Sequence, residues 1–440
     1  MPTSGRNNSF DRDWVVTQNR LAKESFEAMP LPTKKNENFR YTEIKKSTLS
    51  AFLPLTDEQA LNQAKFSVPK EALDFTSGSD AILYFYNGVY LDKVSKPIRS
   101  ELEVVQPATE ANEFESVKST WGRSAHVDLE VFTKHNQGYW RDGAIVKVAS
   151  KRKLKVAVVY MYGVIKFGEL QTAQATCPRN IYQIEANGDV EILEGHISTN
   201  SVGFFGNVYS EIRLEEGAKA SVAVGQWLGE DSVFVSQTRV EQKANSNLEF
   251  CTLSVSGQPT RNQYHFELNG AGANLLLLNA YAATDRHHID NSSAIFHRVG
   301  ETTSEQVSKG LANRKGRVVF SGQLRIEQDA QKSNARQLSQ SLLLSSQAEV
   351  DAKPQLEVFA DDVKAAHGAS IGELRPEEVF YLQSRGITKA AARQILGRGY
   401  LYEVVGRLTS EFSRKGLEKM IQRLPETYFS EDNEAVSNEA

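Results

Sequence analysis

Eight histidines and two cysteines hold most of the soft metal-ligating capacity of this 440-residue chain. Cys177 and Cys251 lie far apart and no Cys-x-x-Cys occurs. That argues against a disulfide framework, and against a zinc or iron–sulfur site built from this chain alone. His287-His288-Ile289-Asp290 has the outline of a metal motif. Neighbours on a strand point to opposite faces, so only His288 shares a face with Asp290, and His297 is expected on a neighbouring strand. Further soft ligands would be needed for a metal, and none is in sequence range. The plainer reading is a hydrogen-bonded polar ladder.

His367 makes the sharper case. It follows the strand-like LEVFADDVK and is expected in a tight His-Gly-Ala-Ser turn beside a helical module that opens at Pro376. Neutral imidazole is a good ligand for iron, zinc or copper. A single imidazole cannot hold a metal ion or cluster tightly, so a chemical role needs ligands from another chain. The alternative is a turn histidine bonded to backbone carbonyls. Nothing nearby in sequence forms a nucleophile-and-base pair. A phosphate-binding loop is excluded, since the chain has no Gly-Lys dipeptide. Gly270 and Gly272 lack the third glycine and βαβ context of a dinucleotide site and read as a coil corner.

The elements that must position these residues divide the chain at residues 1–135, 136–372, 373–425 and 426–440. The first region is mixed and largely helical. Trp14, Leu21, Phe26 and Met29 recur at rough helical spacing until Pro30 and Pro32 break the run. Leu31–Thr42 is a polar loop, a second helix is expected near Thr56 to Ala64, and short strands flank Asn87-Gly88. From about Gly143 the apolar residues alternate, as in Leu154, Val156, Val158 and Tyr160, or Val318, Phe320, Leu324 and Ile326. A weak repeat pairs an alanine with an apolar residue four positions on: Ala186 with Val190, Ala218 with Val222, Ala244 with Leu248, Ala271 with Leu275. Periods of about 20–50 residues mark solenoids, and here they point to stacked β-coils, with a β-sandwich as the alternative. After Gly372 helices return: Pro376 suits a first turn, Gly386 a C-terminus, and Thr388 can cap a second helix. A third apolar group follows from Tyr400 to Leu408, and a last helix carries Phe412 to Leu424. The acidic tail from Glu426 is expected to be disordered.

Composition bounds the rest. Hydrophobic residues at 40% and charged residues at 24% are ordinary for a globular protein. A net charge of −4 gives no pull toward nucleic acid or anionic membranes, and Lys151-Arg152-Lys153 reads as a solvated turn. No window approaches the roughly 20 apolar residues of a membrane span, and the first residues carry no apolar signal core. The expected location is the cytoplasm.

Three segments together resemble the SufB/SufD family of the SUF iron–sulfur cluster assembly system, most closely its SufD branch. They are LPTKKNENFRYT, the run HHIDNSSAIFHRVGETTSEQVSKG with VVFSGQLRIEQDAQKSNARQLSQSLLLS, and PQLEVFADDVKAAHGASIGELRPEEVFYLQSRGI. The resemblance implies a mainly β protein: a right-handed parallel β-helix core with helical regions at both ends. It implies a non-enzymatic scaffold or adaptor that pairs with a SufB-like paralogue through the β-helix end. A SufC-like ABC ATPase would dock on the C-terminal helices, with Phe380, Tyr381 and Arg385 as contacts. His367 takes the family position associated with cluster assembly at the subunit interface, a candidate iron or cluster ligand facing thiolates from SufB. Iron or a cluster would then bind transiently at that interface and ATP on SufC, with no cofactor held tightly by this chain. Ala365-Ala366 stands where some SufD-like sequences carry a cysteine, and the Glu-His-Glu motif typical of SufB is missing. Reduced flavin binding and a homodimer in isolation stay open. The rival readings are a secreted-type β-helix polysaccharide-active enzyme and a SufB-like homodimeric scaffold using Cys251.

Overall fold

The computed structural model describes residues 12–49, 52–54, 66–110, 118–119, 121, 130–163, 165–167, 170–172, 174–199 and 203–430. The helix expected near Thr56 to Ala64 lies outside them. The core is a parallel β-solenoid in which each coil adds one strand to each of two sheets. The first sheet takes β2 (Ala144–Val148), β4 (Arg179–Ile184), β6 (Phe205–Leu214), β8 (Val233–Gln242), β10 (Thr260–Leu268), β12 (His288–His297), β14 (Arg317–Ile326) and β16 (Glu349–Val358). The second takes β1 (Ala81–Tyr86), β3 (Leu154–Tyr162), β5 (Asp189–Ser198), β7 (Lys219–Trp227), β9 (Asn247–Val255), β11 (Asn274–Ala283), β13 (Thr303–Ala312), β15 (Asn334–Leu343) and β17 (Lys364–Glu373). Register is kept from coil to coil, so inward residues stack in columns, as in Ile192, Val222, Phe250 and Leu277. All four are buried in one continuous apolar core.

The corners explain the weak repeat. Asn187, Gly217, Asn245, Gly272, Glu301 and Lys332 each have positive φ, in steps of about 30 residues. Each donates its backbone N–H to a carbonyl of the next coil, at 2.9 Å for Asn187 to Glu216, Gly217 to Ala244, and Asn245 to Ala271. Asparagine and glycine tolerate this left-handed conformation best, which makes the corner visible in sequence. Alanine was the wrong anchor in one coil. Ala186, Ala244 and Ala271 precede the left-handed residue, whereas Ala218 follows it, and the true partner of Val190 and Leu248 is Ala220, not Val222. Gly272 does stand at a coil corner.

Helices close the outside. On the outer face of the first sheet, α1 (Arg12–Ala28) and α3 (Glu130–Tyr139) pack Phe26 and Phe132 with Phe205, Val233 and Val235. The short α2 (Lys70–Phe75) sits on the second sheet. After β17 come α4 (Pro376–Gln383), α5 (Lys389–Val405) and α6 (Glu411–Gln422). Thr388 caps α5 by accepting the Ala391 N–H, and Gly386 takes φ +83°. The apolar groups around Ala391 and Tyr400 fall on one unbroken helix rather than two. Gly397 survives inside it because a side chain there would collide with the Phe429 ring. The α5 and α6 apolar residues Leu401, Val404, Leu417, Met420 and Ile421 bury against Cys251, Leu253, Leu278 and Ala280 of the second sheet. The acidic tail does not begin in disorder: Glu426–Tyr428 forms a 3-10 turn, and Tyr428 and Phe429 are buried, because both aromatic rings find apolar partners there.

Candidate functional site

The solenoid's C-terminal mouth is formed by β16 and β17, the terminal strands of their sheets among the described residues. Each leaves a row of backbone donors and acceptors on its free side. Leu338, Val358, Phe359 and Ile371 are exposed around it. A capped, finished solenoid end would bury such groups, so the mouth has the character of a surface awaiting a partner.

His367 lies at this mouth. It is not in a turn. It sits within β17, paired in register with Gln337 of β15, and is exposed. The small residues Gly368, Ala369 and Ser370 read locally as a turn, but the backbone of β15 supplies a template that outweighs their low strand propensity. The column below His367 runs Leu277, Gln306, Gln337 and then His367, so the interior turns from apolar to polar as it nears the mouth. Gln337 Nε2 donates to Gln306 Oε1 at 2.9 Å, and Gln306 Nε2 to Ser293 Oγ at 2.8 Å.

Phe380, Tyr381 and Arg385 occupy a different place. Phe380 and Tyr381 are 71% and 54% exposed on α4, and the Arg385 guanidinium lies 4.4 Å from the Tyr381 ring centre. Ile395 on α5 is exposed as well. The other C-terminal helix faces are spent on the second sheet, so the free apolar surface here is small and local.

His288 and Asp290 do share a face, on the outside of the first sheet, and meet residues no spacing rule would have joined to them. Thr42 Oγ1 lies 2.8 Å from His288 Nε2 and donates to Asp290 Oδ2 at 2.5 Å. Arg261 forms a buried ion pair with Asp290, while its guanidinium lies 4.1 Å from the Phe39 ring centre. Burial lowers the His288 pKa to about 4, so the ring is neutral at pH 7. The polar-ladder reading thus holds, as a clasp for the Leu31–Thr42 segment. His297 is on the same strand as His288 rather than a neighbour, because β12 runs ten residues without a break. It points inward and bonds Thr302 Oγ1 at 2.7 Å and Ser304 Oγ at 2.8 Å.

Both cysteines are buried and unbridged, and burial pushes both thiols up, away from the reactive thiolate. Cys251 lies beneath the C-terminal helices rather than at the mouth. Among the described residues no three His, Cys, Asp or Glu side chains come together as a metal-binding group, and no helix is long and apolar enough to cross a membrane.

Residues 167–400 match the family model described as "SUF system FeS cluster assembly, SufBD core domain". The chain is similar to the "Iron-sulfur cluster assembly SufBD family protein" of Synechocystis, with 27% identity over 408 residues covering 90% of this chain and 87% of that protein. It is 26% identical over 406 residues to the "Iron-sulfur cluster assembly protein SufD" of Escherichia coli, covering 90% of each. "Protein ABCI7, chloroplastic" of Arabidopsis thaliana is 32% identical over 230 residues, 52% of this chain and 48% of that protein.

Proposed function

Since the chain belongs to the SufB/SufD family, on its SufD-like side, and has its role in SUF iron–sulfur cluster assembly, we propose that it acts there as a non-enzymatic scaffold and adaptor subunit. The observation that carries this is the unfinished solenoid mouth with one exposed imidazole on its last strand, where no group of three His, Cys, Asp or Glu side chains forms among the described residues. A SufB-like paralogue would cover the mouth edge to edge, since free strands pair readily with a matching edge. Its thiolates, with His367, would hold iron or a nascent cluster as transient cargo. Histidine Nε2 is a competent iron ligand, and cysteine sulfur supplies the remaining soft donors.

The exposed Phe380, Tyr381 and Arg385 would seat a SufC-like ATPase, since aromatic and arginine side chains are the common energetic anchors of interfaces. Nucleotide-driven movement of that partner would then be transmitted through α4 to the adjoining strand β17. The two buried, unbridged thiols fit a reducing compartment such as the cytoplasm.

Reconstitution with candidate SufB and SufC chains tests the reading. His367→Ala should leave assembly intact and lower iron uptake and cluster formation; unchanged uptake would reject a chemical role for the imidazole. Phe380→Ala or Tyr381→Ala should weaken SufC co-purification by about tenfold or more, as for an interface anchor. Equal recovery of SufC would remove α4 from the contact.

A further inference from the structure

We propose that Gln337 is a positioning residue for His367: its side-chain carbonyl accepts a hydrogen bond from His367 Nδ1–H and leaves the Nε2 lone pair facing out of the solenoid mouth. This rests on the reading of His367 as a ligand for cargo, and extends it to a residue that never touches that cargo.

Gln337 and His367 are register partners on β15 and β17, both on the inward-facing parity. Adjacent rungs of a sheet lie about 4.8 Å apart, so consecutive inward side chains stack within hydrogen-bonding reach. The direction of the Gln337 amide is fixed from below, because its Nε2 donates to Gln306 Oε1 at 2.9 Å. The carbonyl oxygen is therefore turned toward the mouth. Gln337 is 3% exposed, and among the described residues Oε1 has no partner. A buried amide oxygen left unpaired is costly, which gives it reason to seek the next donor up the column. His367, its register partner on β17, is the next donor up the column; the two side chains are not bonded in this structure, and the proposal is that the imidazole turns to close that bond. Space for the arrangement comes from Gly322, whose missing side chain would otherwise collide with Gln337 Nε2.

The chemical consequence follows from imidazole tautomerism. The nitrogen that donates to a neighbour keeps the proton, and the other presents its lone pair to a metal. Ser339 Oγ, buried and unpartnered among the described residues, is the competing acceptor one inward position along β15.

Nitrogen NMR of the full-length chain with labelled histidine tests this, the His367 signal being identified by its loss in His367→Ala. Wild type should show His367 mainly as the Nδ1–H tautomer. Gln337→Met, of similar length but without an acceptor, should shift the tautomer ratio about fivefold toward Nε2–H, the effect of one ordinary hydrogen bond. Ser339→Ala should leave the ratio unchanged. A wild-type ring already in the Nε2–H form, or an unaltered ratio in Gln337→Met, overturns the proposal, and the first measurement needs only the substitution at the exposed position 367 to fold. In the reconstituted complex Gln337→Met should lower iron uptake without changing subunit ratios. A tautomer shift with no effect of His367→Ala on uptake would leave the positioning intact and sink the ligand role. Lost uptake in His367→Ala with no tautomer shift would do the reverse.

Discussion

At the residue scale, the histidines show how burial separates structure from chemistry. His297 sits inside the solenoid and its pKa is lowered to about 4 by desolvation alone. The folded state holds it neutral, while the unfolded chain takes up a proton near 6.5. Above that value both states are neutral and the group is silent. As pH falls from 6.5 toward 4 the unfolded state binds the extra proton, so stability falls through this window. His287 and His288 have the same direction and add to it. Glu267 acts in the same direction at lower pH: its carboxyl is held at about 2, first by its hydrogen bond from His265, so its contribution is lost as pH falls below about 4.5. Urea unfolding at pH 7.5 and 5 should therefore show substantial acid destabilisation before the carboxylates titrate. His297→Gln should remove a share of it, up to about 2 kcal/mol. An unchanged pH slope in that variant would mean His297 is not held neutral. Sequence spacing found the face shared by His288 and Asp290, because a two-residue period is local. It could not tell buried from exposed histidines, since burial is decided by chain arriving from far away.

At the scale of elements, the polar loop and the His-Asp motif, some 250 residues apart in sequence, turn out to be halves of one clasp. Neither was legible as such, because a non-local contact leaves no periodicity in either segment. Thr42 is buried and serves both His288 and Asp290. Thr42→Val keeps the shape and removes the hydroxyl, so it should cost about 1–3 kcal/mol by leaving the His288 Nε2–H without its acceptor and Asp290 Oδ2 with Arg261 alone. It should also speed proteolysis within Leu31–Thr42. A wild-type cleavage rate would argue that Phe39 alone holds the segment. The coil corners were partly legible, since Asn and Gly recur where φ must be positive. Glu301 and Lys332 hid the later corners, because their sequence carries no sign of the left-handed backbone they adopt. Gly272→Ala should lower the melting temperature, with a cost of about 1–2 kcal/mol from backbone strain and a collision with Asn245 Oδ1. Glu301→Gly should be neutral or mildly stabilising by the same reasoning.

On the scale of the whole molecule, alternating apolar residues and a repeat near 30 residues gave the stacked-coil body directly, because each coil reuses one pattern. What they did not disclose is that the C-terminal helices complete that body. Period-two strands of the second sheet carry apolar residues on both faces, as in Leu277 inward and Leu278 outward. A strand buried on both sides demands a second covering layer. The layer is α5 and α6, with Lys309–Glu403 and Arg407–Glu305 ion pairs at its border. A chain ending before Pro376 should therefore do more than lose the proposed docking surface: it should bare Cys251, Leu253 and Ala280 and aggregate. Thiol labelling reads this directly. Cys251 should be inert in the intact chain and react within minutes after the truncation, or in Leu417→Asp, which disrupts the same layer by point substitution. A soluble truncated chain with an unreactive Cys251 would show that the helices are a separable module. Slow labelling in the intact chain, abolished by bound SufC, would instead show that the layer lifts from the sheet and that the ATPase holds it down.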